Sequence, residues 1–304
     1  MPNLLFVFAT SQLKKASEST NAVDVQGIFE TINEMLAYDF LRRAIIVGLF
    51  VSLCASLLGI SLVLKRYSMI GDGLSHVGFG TLAIATAMNV APLKVSIPVV
   101  VFAAFMLLRI SENSKIKGDA AIALISTSSL AIGVVILSLT TGMTTDVCNF
   151  MFGSILVMQE SDVQLSVRLA TVVMILFVLF YNKIFAVTFD ENFARATGTK
   201  AGFYNMLIAF LTAITIVLGM RMMGALLISS LIIFPALTSM RLCKTFKSVT
   251  VCSAIVSVIC FFVGVVASYV YETPTGASVV IVNIILFISF WIINIFKDKI
   301  GGKV

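Results

Sequence analysis

Asp72 and His76, the only histidine of the chain, are the residues whose types and spacing best suit chemistry. They lie four positions apart in an otherwise apolar segment, so a helix would place both on one face. A carboxylate oxygen and an imidazole nitrogen together suit Zn²⁺, Mn²⁺ or Fe²⁺. Two ligands are too few for a tight closed site. The pattern therefore predicts a transient metal contact, completed by water, another helix or a second subunit.

Structural roles also fit this segment. Asp72 could cap the start of its helix, and His76 could hydrogen-bond to a neighbouring helix. Small side chains along the same helix favour either close helix packing or an open groove. Close helix packing is the alternative at Gly71, Ser75 and Gly78. A groove is expected at Gly80 and Ala83.

A second polar segment, residues 189–200, contains Asp190, Glu191, Arg195 and Lys200. If it is helical, these four side chains face water while Phe193, Ala194 and Thr197 face the other way. Such a short amphipathic helix, lying parallel to the membrane, would suit a groove in a cytoplasmic partner. A solvated loop fits the same residues, and the pattern alone does not separate the two.

A third segment, residues 224–238, begins at Gly224 and carries Pro235 in the middle of an apolar run. Proline frees the carbonyl of Leu231 and is expected to kink the helix. The freed backbone groups would be satisfied by nearby hydroxyl groups, those of Ser229, Ser230 and Thr238. Gly224 and Pro235 therefore indicate a kink or gating element rather than a site.

The elements that must position these residues are membrane-spanning helices. The 304-residue chain is 59% hydrophobic and only 12% charged, against about 25% charged in soluble proteins. About nine stretches approach the 20 or so apolar residues that a crossing needs, although eight or ten also fit. They are residues 39–64, 69–89, 92–109, 119–140, 165–188, 202–219, 224–241, 248–270 and 276–296. Residues 148–158 are apolar but too short, and indicate an interfacial or re-entrant segment.

The distribution of charge predicts topology rather than nucleic-acid binding. The net charge is +6, but the basic residues are scattered singly or in pairs and form no stripe. With the N-terminus outside and the C-terminus inside, inner connections hold all but seven of the 21 basic residues. The seven are Lys14, Lys15, Arg42, Arg43, Lys94, Arg168 and Arg221, and the Arg42–Arg43 pair argues the other way.

Two domains are expected, an N-terminal extension over residues 1–37 and a transmembrane domain over residues 38–304. In the extension, Ile28, Ile32, Met35 and Leu36 share one helical face, which predicts an amphipathic helix on the outer interface.

Several functional classes are disfavoured by missing motifs. The sequence has no Walker A, GxSxG or HExxH pattern. A single histidine and few buried acids offer little for a proton relay across the membrane. The chain is therefore not expected to be an enzyme, and energy for active transport would come from another subunit.

Four segments together resemble the permease subunits of bacterial ABC importers for zinc, manganese and iron. They are residues 64–76, 189–198, 224–238 and 274–280, and they occur in the family's order across residues 38–296. The sequence departs from the family pattern in its N-terminal extension and in Gly73, where alanine or threonine is more familiar.

The resemblance implies an all-α permease of the ABC importer type in the bacterial cytoplasmic membrane. It implies a homodimer, cytoplasmic ATPase subunits and an extracytoplasmic metal-binding protein, with a transported divalent ion and no permanent cofactor. Asp72 and His76 match the family's metal contacts. The residues that match the ATPase-coupling segment are Asp190, Glu191, Phe193, Ala194 and Gly198.

Other functions remain open at this point. A permease of the same design could carry a metal chelate or cobalamin, and loss of transport on Asp72→Ala is less expected there. A secondary transporter would work without an ATPase, driven by an ion gradient. A membrane enzyme is the least favoured alternative.

Overall fold

The described part of the chain consists mainly of α-helices. The computed structural model describes residues 32–113, 118–140, 153 and 160–301. Residues 32–37 are helical, and no strand occurs in the part that is described. The helices that follow are α1 (Asp39–Leu64), α2 (Ser68–Ala87), α3 (Pro92–Asn113), α4 (Gly118–Thr140), α5 (Glu160–Leu179), α6 (Tyr181–Phe189), α7 (Glu191–Ala196), α8 (Ala201–Leu242), α9 (Phe246–Val270) and α10 (Thr275–Gly301).

The predicted all-α membrane fold is confirmed. Eight helical stretches in the described residues are long and apolar enough to cross a membrane. Helix α2 is not among them, although its 20 residues would span about 30 Å. Its polar residues, including Asp72 and His76, lower its hydropathy. Counting α2 gives nine crossings in the described part, which is the predicted number.

Helix α8 contains two of these crossings, because it doubles back at Gly224. Gly224 has φ 83° and ψ 161°, outside the helical region. A Cβ added at Gly219 would lie 2.4 Å from Cδ1 of Ile228, whereas a straight helix would separate these residues by about 13 Å. The halves are therefore antiparallel, and we name them α8a (Ala201–Arg221) and α8b (Met223–Leu242).

Two details of the predicted elements differ from the structure. Of the two predicted kink positions, Gly224 has a non-helical backbone, but Pro235 lies inside α8b without interrupting it. The predicted crossing over residues 165–188 begins earlier, at Glu160, and divides into α5 and α6 at Phe180. Hydropathy does not mark that division, because both helices are apolar.

Neighbouring helices pack both antiparallel and parallel. Ser257 and Ser253 of α9 donate hydroxyl hydrogen bonds to the Ser52 and Ser56 carbonyls of α1, at 2.9 and 3.4 Å. The numbers rise on one helix as they fall on the other, so α1 and α9 are antiparallel. Glycine contacts pair α2 with α4 in parallel, with Gly73 against Ile122 and Gly80 against Ser129.

A buried ion pair fastens the turn of α8 to the start of α5. Nη2 of Arg221 lies 2.8 Å from Oδ2 of Asp162, and the two side chains are only 12% and 16% exposed. Arg43, near the start of α1, contacts Glu160 at the same end of the bundle, at 3.7 Å. Removing one member of a buried pair leaves the other charge without a partner, which is destabilising. The contact therefore favours the observed position of the α8 turn.

Some predicted features lie outside the described residues. Most of the N-terminal extension and the segment 148–158, apart from Gly153, are among them. The chain divides into two compact units, Met1–Arg42 and Arg43–Val304. In the first, Arg42 pairs with Asp39 at 2.8 Å. The second holds α2 to α10 and both functional segments.

Replacing Gly224 with alanine is expected to destabilise the chain. Its backbone conformation is essentially restricted to glycine, and a side chain there costs about 1–3 kcal/mol. The midpoint of thermal unfolding in detergent should therefore fall. Gly202→Ala is the matched control, because an added Cβ there meets nothing within 4 Å and should leave the midpoint unchanged or raised. Equal midpoints for the two variants would contradict the assignment.

Candidate metal contact and coupling segment

Helix α2 positions Asp72 within a span and not at a cap. The N-cap residue is Tyr67, no side chain caps the helix, and its first turn contains no acidic residue. The capping role considered for Asp72 is therefore excluded. The packing face considered for α2 is present. Gly71 lies against Ile232, and Gly78 lies against Met220.

The groove expected beside Gly80 is absent. A Cβ added at Gly80 would lie 2.7 Å from the backbone oxygen of Ser129, and Ala83 is fully buried. Gly73 is equally close to Ile122, with 2.6 Å from an added Cβ to Cγ2. These positions allow α4 to approach α2 closely, so that the exposed face of α2 is left to Asp72 and His76.

Asp72 and His76 are brought together with a separation that suits two ligands of one ion. Nε2 of His76 lies 3.7 Å from Oδ2 of Asp72, and two ligands of a tetrahedral ion with bonds near 2.1 Å are about 3.4 Å apart. The His76 side chain is 22% exposed and the Asp72 side chain is 45% exposed. No group of three or more histidine, cysteine or acidic side chains forms a metal site among the described residues. One chain thus offers an incomplete site.

One serine of a neighbouring helix contacts the Asp72 carboxylate, and a second serine contacts the first. Oγ of Ser229, on α8b, donates to Oδ1 of Asp72 at 3.4 Å, which leaves Oδ2 on the side of His76. Oγ of Ser75 lies 3.3 Å from Ser229 Oγ and donates to the Asp72 backbone carbonyl at 2.7 Å. The sequence pointed to Ser229 only as a backbone partner near Pro235, because spacing does not reveal a contact between distant helices.

Ser229→Ala is expected to weaken metal handling by about fivefold or less, the usual value of one hydrogen bond near 1 kcal/mol. The effect should appear in the metal concentration for half-maximal uptake. Ser230→Ala is the matched control, since its hydroxyl bonds only the Leu227 carbonyl of its own helix, at 2.8 Å. Equal effects from both substitutions would argue against a positioning role for Ser229.

The coupling segment forms a short helix with a defined start. Asp190 caps α7 by accepting a hydrogen bond from the Phe193 backbone N–H at 2.9 Å. Gly198 follows the helix with φ 81°, a conformation that favours glycine. Phe193 is 65% exposed, whereas Ala194 is fully buried and packs with Val187 and Ala201. The expectation that Phe193 and Ala194 face the same way is therefore wrong.

Glu191 joins α7 to the end of α1 and to the start of α8a. Its Oε2 accepts from Lys65 at 3.2 Å and from Nδ2 of Asn205 at 3.1 Å. Its Oε1 accepts from Arg195 at 2.6 Å, and Lys65 also donates to Asn205. Lys65 is 9% exposed and Glu191 30%. The network fixes the coupling helix to the end of α1 and to α8a.

The charged form of Glu191 is favoured in the folded chain. Burial acts to raise the pKa of its carboxyl group, but hydrogen bonds from Asn205, Lys65 and Arg195 and the charge of Lys65 outweigh it and lower the pKa. A lowered pKa stabilises the fold above the unfolded-state value of about 4.3. This contribution is lost only as the pH falls through the lower folded value, so α7 stays anchored across neutral pH.

The fold and the sites define a class of protein. Eight described stretches that are long and apolar enough to cross a membrane, with the polar α2 packed against α3, α4 and α8, are those of a multi-pass membrane protein. The sequence matches the ABC 3 transport family over residues 37–294. The chain belongs to this family, and it is accordingly an ABC transporter permease.

Two relatives and one solved structure illustrate the match. The manganese import system permease protein ScaB of Streptococcus gordonii is 27% identical, over 87% of this chain and 95% of that protein. The zinc uptake system membrane protein ZnuB of Haemophilus influenzae is 28% identical, over 86% of this chain and 99% of that protein. PsaBC of Streptococcus pneumoniae, solved with a Fab, is 27% identical over 87% of this chain and 95% of that chain, with a TM-score of 0.78.

Proposed function

We propose that the chain is the permease subunit of an ATP-driven importer for a divalent metal ion, Zn²⁺ or Mn²⁺. The observation that carries the proposal is the Asp72–His76 pair, held 3.7 Å apart within a membrane-spanning helix. An intramembrane carboxylate is costly unless it serves a polar pathway or a partner. The names of the relatives, which include manganese and zinc uptake systems, support the choice of cargo.

The working unit in this proposal is a homodimer with the ion crossing between the subunits. Each chain contributes two ligands, and Asp72 remains 45% exposed on a helix that is otherwise mostly buried. Two copies facing one axis would bring together two carboxylates and two imidazoles. Such a set gives a weak site from which the ion can leave.

Energy would come from cytoplasmic ATPase subunits that bind α7, and the ion would arrive from an extracytoplasmic metal-binding protein. Exposed Phe193 on a short helix anchored by Glu191 supports a docking role, since a rigid anchor transmits motion of the partner to α1 and α8a. We place this end of the bundle in the cytoplasm, with the N-terminus outside and the C-terminus inside the bacterial cytoplasmic membrane. The many basic residues in the predicted inner connections support that orientation.

Transport by reconstituted protein tests the proposal. The permease with its ATPase is placed in proteoliposomes, and ATP-dependent uptake of Zn²⁺ and Mn²⁺ is measured alone and in competition. Metal uptake that requires ATP is expected. Uptake driven by an ion gradient without the ATPase would indicate a secondary transporter. Uptake of a metal chelate or cobalamin in preference to the free ion would indicate the alternative cargo.

A further inference from the structure

A crevice of about 470 Å³ opens where α5 ends, between α1, the α5–α6 junction and α9. Helix α5 stops at Leu179 and α6 begins at Tyr181. The Tyr181 ring turns towards Phe246, with 5.5 Å between the ring centroids. The break in the helix therefore creates a cavity on the side of the bundle, away from the Asp72–His76 pair.

The walls of the crevice change from polar to apolar with depth. Lys247 and Asn182 lie at the ends of their helices and are exposed. Val251 lies about one turn beyond Lys247 on α9, and Leu57 lies about two turns before the end of α1. Phe177, close to the end of α5, completes the apolar wall. A polar mouth above an apolar wall matches the two parts of a phospholipid, and does not match a water-filled pathway.

Exposed apolar stripes continue from the crevice along both bounding helices. On α9, Lys247 is followed at four-residue spacing by Val251, Ile255, Ile259 and Val263, which are 46–54% exposed. On α5, the residues are Val172, Ile175 and Val178, which are 48–69% exposed. The α9 stripe from Lys247 to Val263 is about 24 Å long, enough for an acyl chain to follow through one leaflet of a hydrocarbon core about 30 Å thick.

The mouth of the crevice carries the positive charge of Lys247. Lys247 is exposed, and within the described ranges no carboxylate oxygen lies within 4.0 Å of its ammonium. The lining contains no acidic residue. A lysine at the membrane surface attracts anionic headgroups and extends its ammonium towards them.

We propose that this crevice binds an anionic phospholipid, with the headgroup at Lys247 and an acyl chain along the stripes of α5 and α9. The lipid would fill the gap left by the helix break and brace α5 against α9 beside the coupling segment. The proposal is independent of which ion the permease carries.

Lipid-dependent stability of the full-length chain tests this site. The purified permease in detergent is mixed with phosphatidylglycerol or phosphatidylcholine, and both the unfolding midpoint and the retained lipid, by native mass spectrometry, are measured. Phosphatidylglycerol is expected to raise the midpoint more than phosphatidylcholine does. Lys247→Gln should weaken retention of phosphatidylglycerol by about fivefold, the usual contribution of one lysine near an anionic surface.

Lys244→Gln is the matched control, because this exposed lysine lies three residues away and outside the crevice. It should retain phosphatidylglycerol like the unaltered chain. Val178→Trp, which fills the apolar wall, should lower retention of both lipids. Equal retention by Lys247→Gln and the unaltered chain would overturn the proposal. So would cross-linking between two copies through Val178→Cys, since that result would assign the crevice to a protein contact.

Discussion

His76→Ala is expected to lower ATP-driven metal uptake by at least about 100-fold, the upper end of what losing support for a bound metal costs. The substitution removes the imidazole whose Nε2 lies 3.7 Å from the Asp72 carboxylate. In a symmetric dimer it removes two ligands at once. Asp72→Asn should have a comparable effect, because it keeps the shape of the side chain and the Ser229 contact but loses the charge. The measurement is initial uptake of Zn²⁺ and Mn²⁺ into proteoliposomes that contain the ATPase.

Thr86→Ala provides the matched control on α2. Its hydroxyl donates only to the Leu82 carbonyl of the same helix, at 2.9 Å, so uptake should remain near that of the unaltered chain. Unimpaired uptake by His76→Ala in a complex that still binds its ATPase would exclude the metal contact. If metal uptake is lost while uptake of a metal chelate is retained, His76 contacts the metal ion itself and is not required for the pathway to open.

The second large effect is expected at the anchor of the coupling helix. Glu191→Lys places a cation beside Lys65, which is 9% exposed, and beside Arg195. Disrupting a buried pair costs about 3–5 kcal/mol, and the lower end is expected because Glu191 is 30% exposed. Helix α7 should leave its position. The ATPase should then fail to copurify, or should hydrolyse ATP without metal uptake.

A charge exchange separates the anchor from a direct contact with the ATPase. The double variant Lys65→Glu with Glu191→Lys restores opposite charges at the two positions, and should recover a substantial part of the coupled uptake. Arg195→Ala removes only an exposed i,i+4 pair and should cost less than about 1 kcal/mol. Full coupling in Glu191→Lys alone, or no recovery in the exchange, would contradict the anchor.

Hydrophobic stretches predicted the crossings because a segment in lipid must pair its backbone N–H and C=O groups with one another, which a helix does. The polar helix α2 was identified for the opposite reason, since Asp72 and His76 are conspicuous in an apolar chain. Segment boundaries were less accurate. The predicted crossing over residues 165–188 is two helices. Of the two predicted kink positions, Gly224 has a non-helical backbone, whereas Pro235 lies within regular helix. Composition does not record which backbone angle a residue adopts.

The sequence by itself determined the fold class and the two polar segments, because burial in lipid and i,i+4 spacing are local properties. Only the tertiary structure joined Ser229 to Asp72 and Lys65 to Glu191, which are 157 and 126 residues apart. It also showed Phe193 exposed and Ala194 buried, where periodicity had placed them together. Contacts between distant helices depend on how their surfaces pack, and no local pattern in the chain encodes that packing directly.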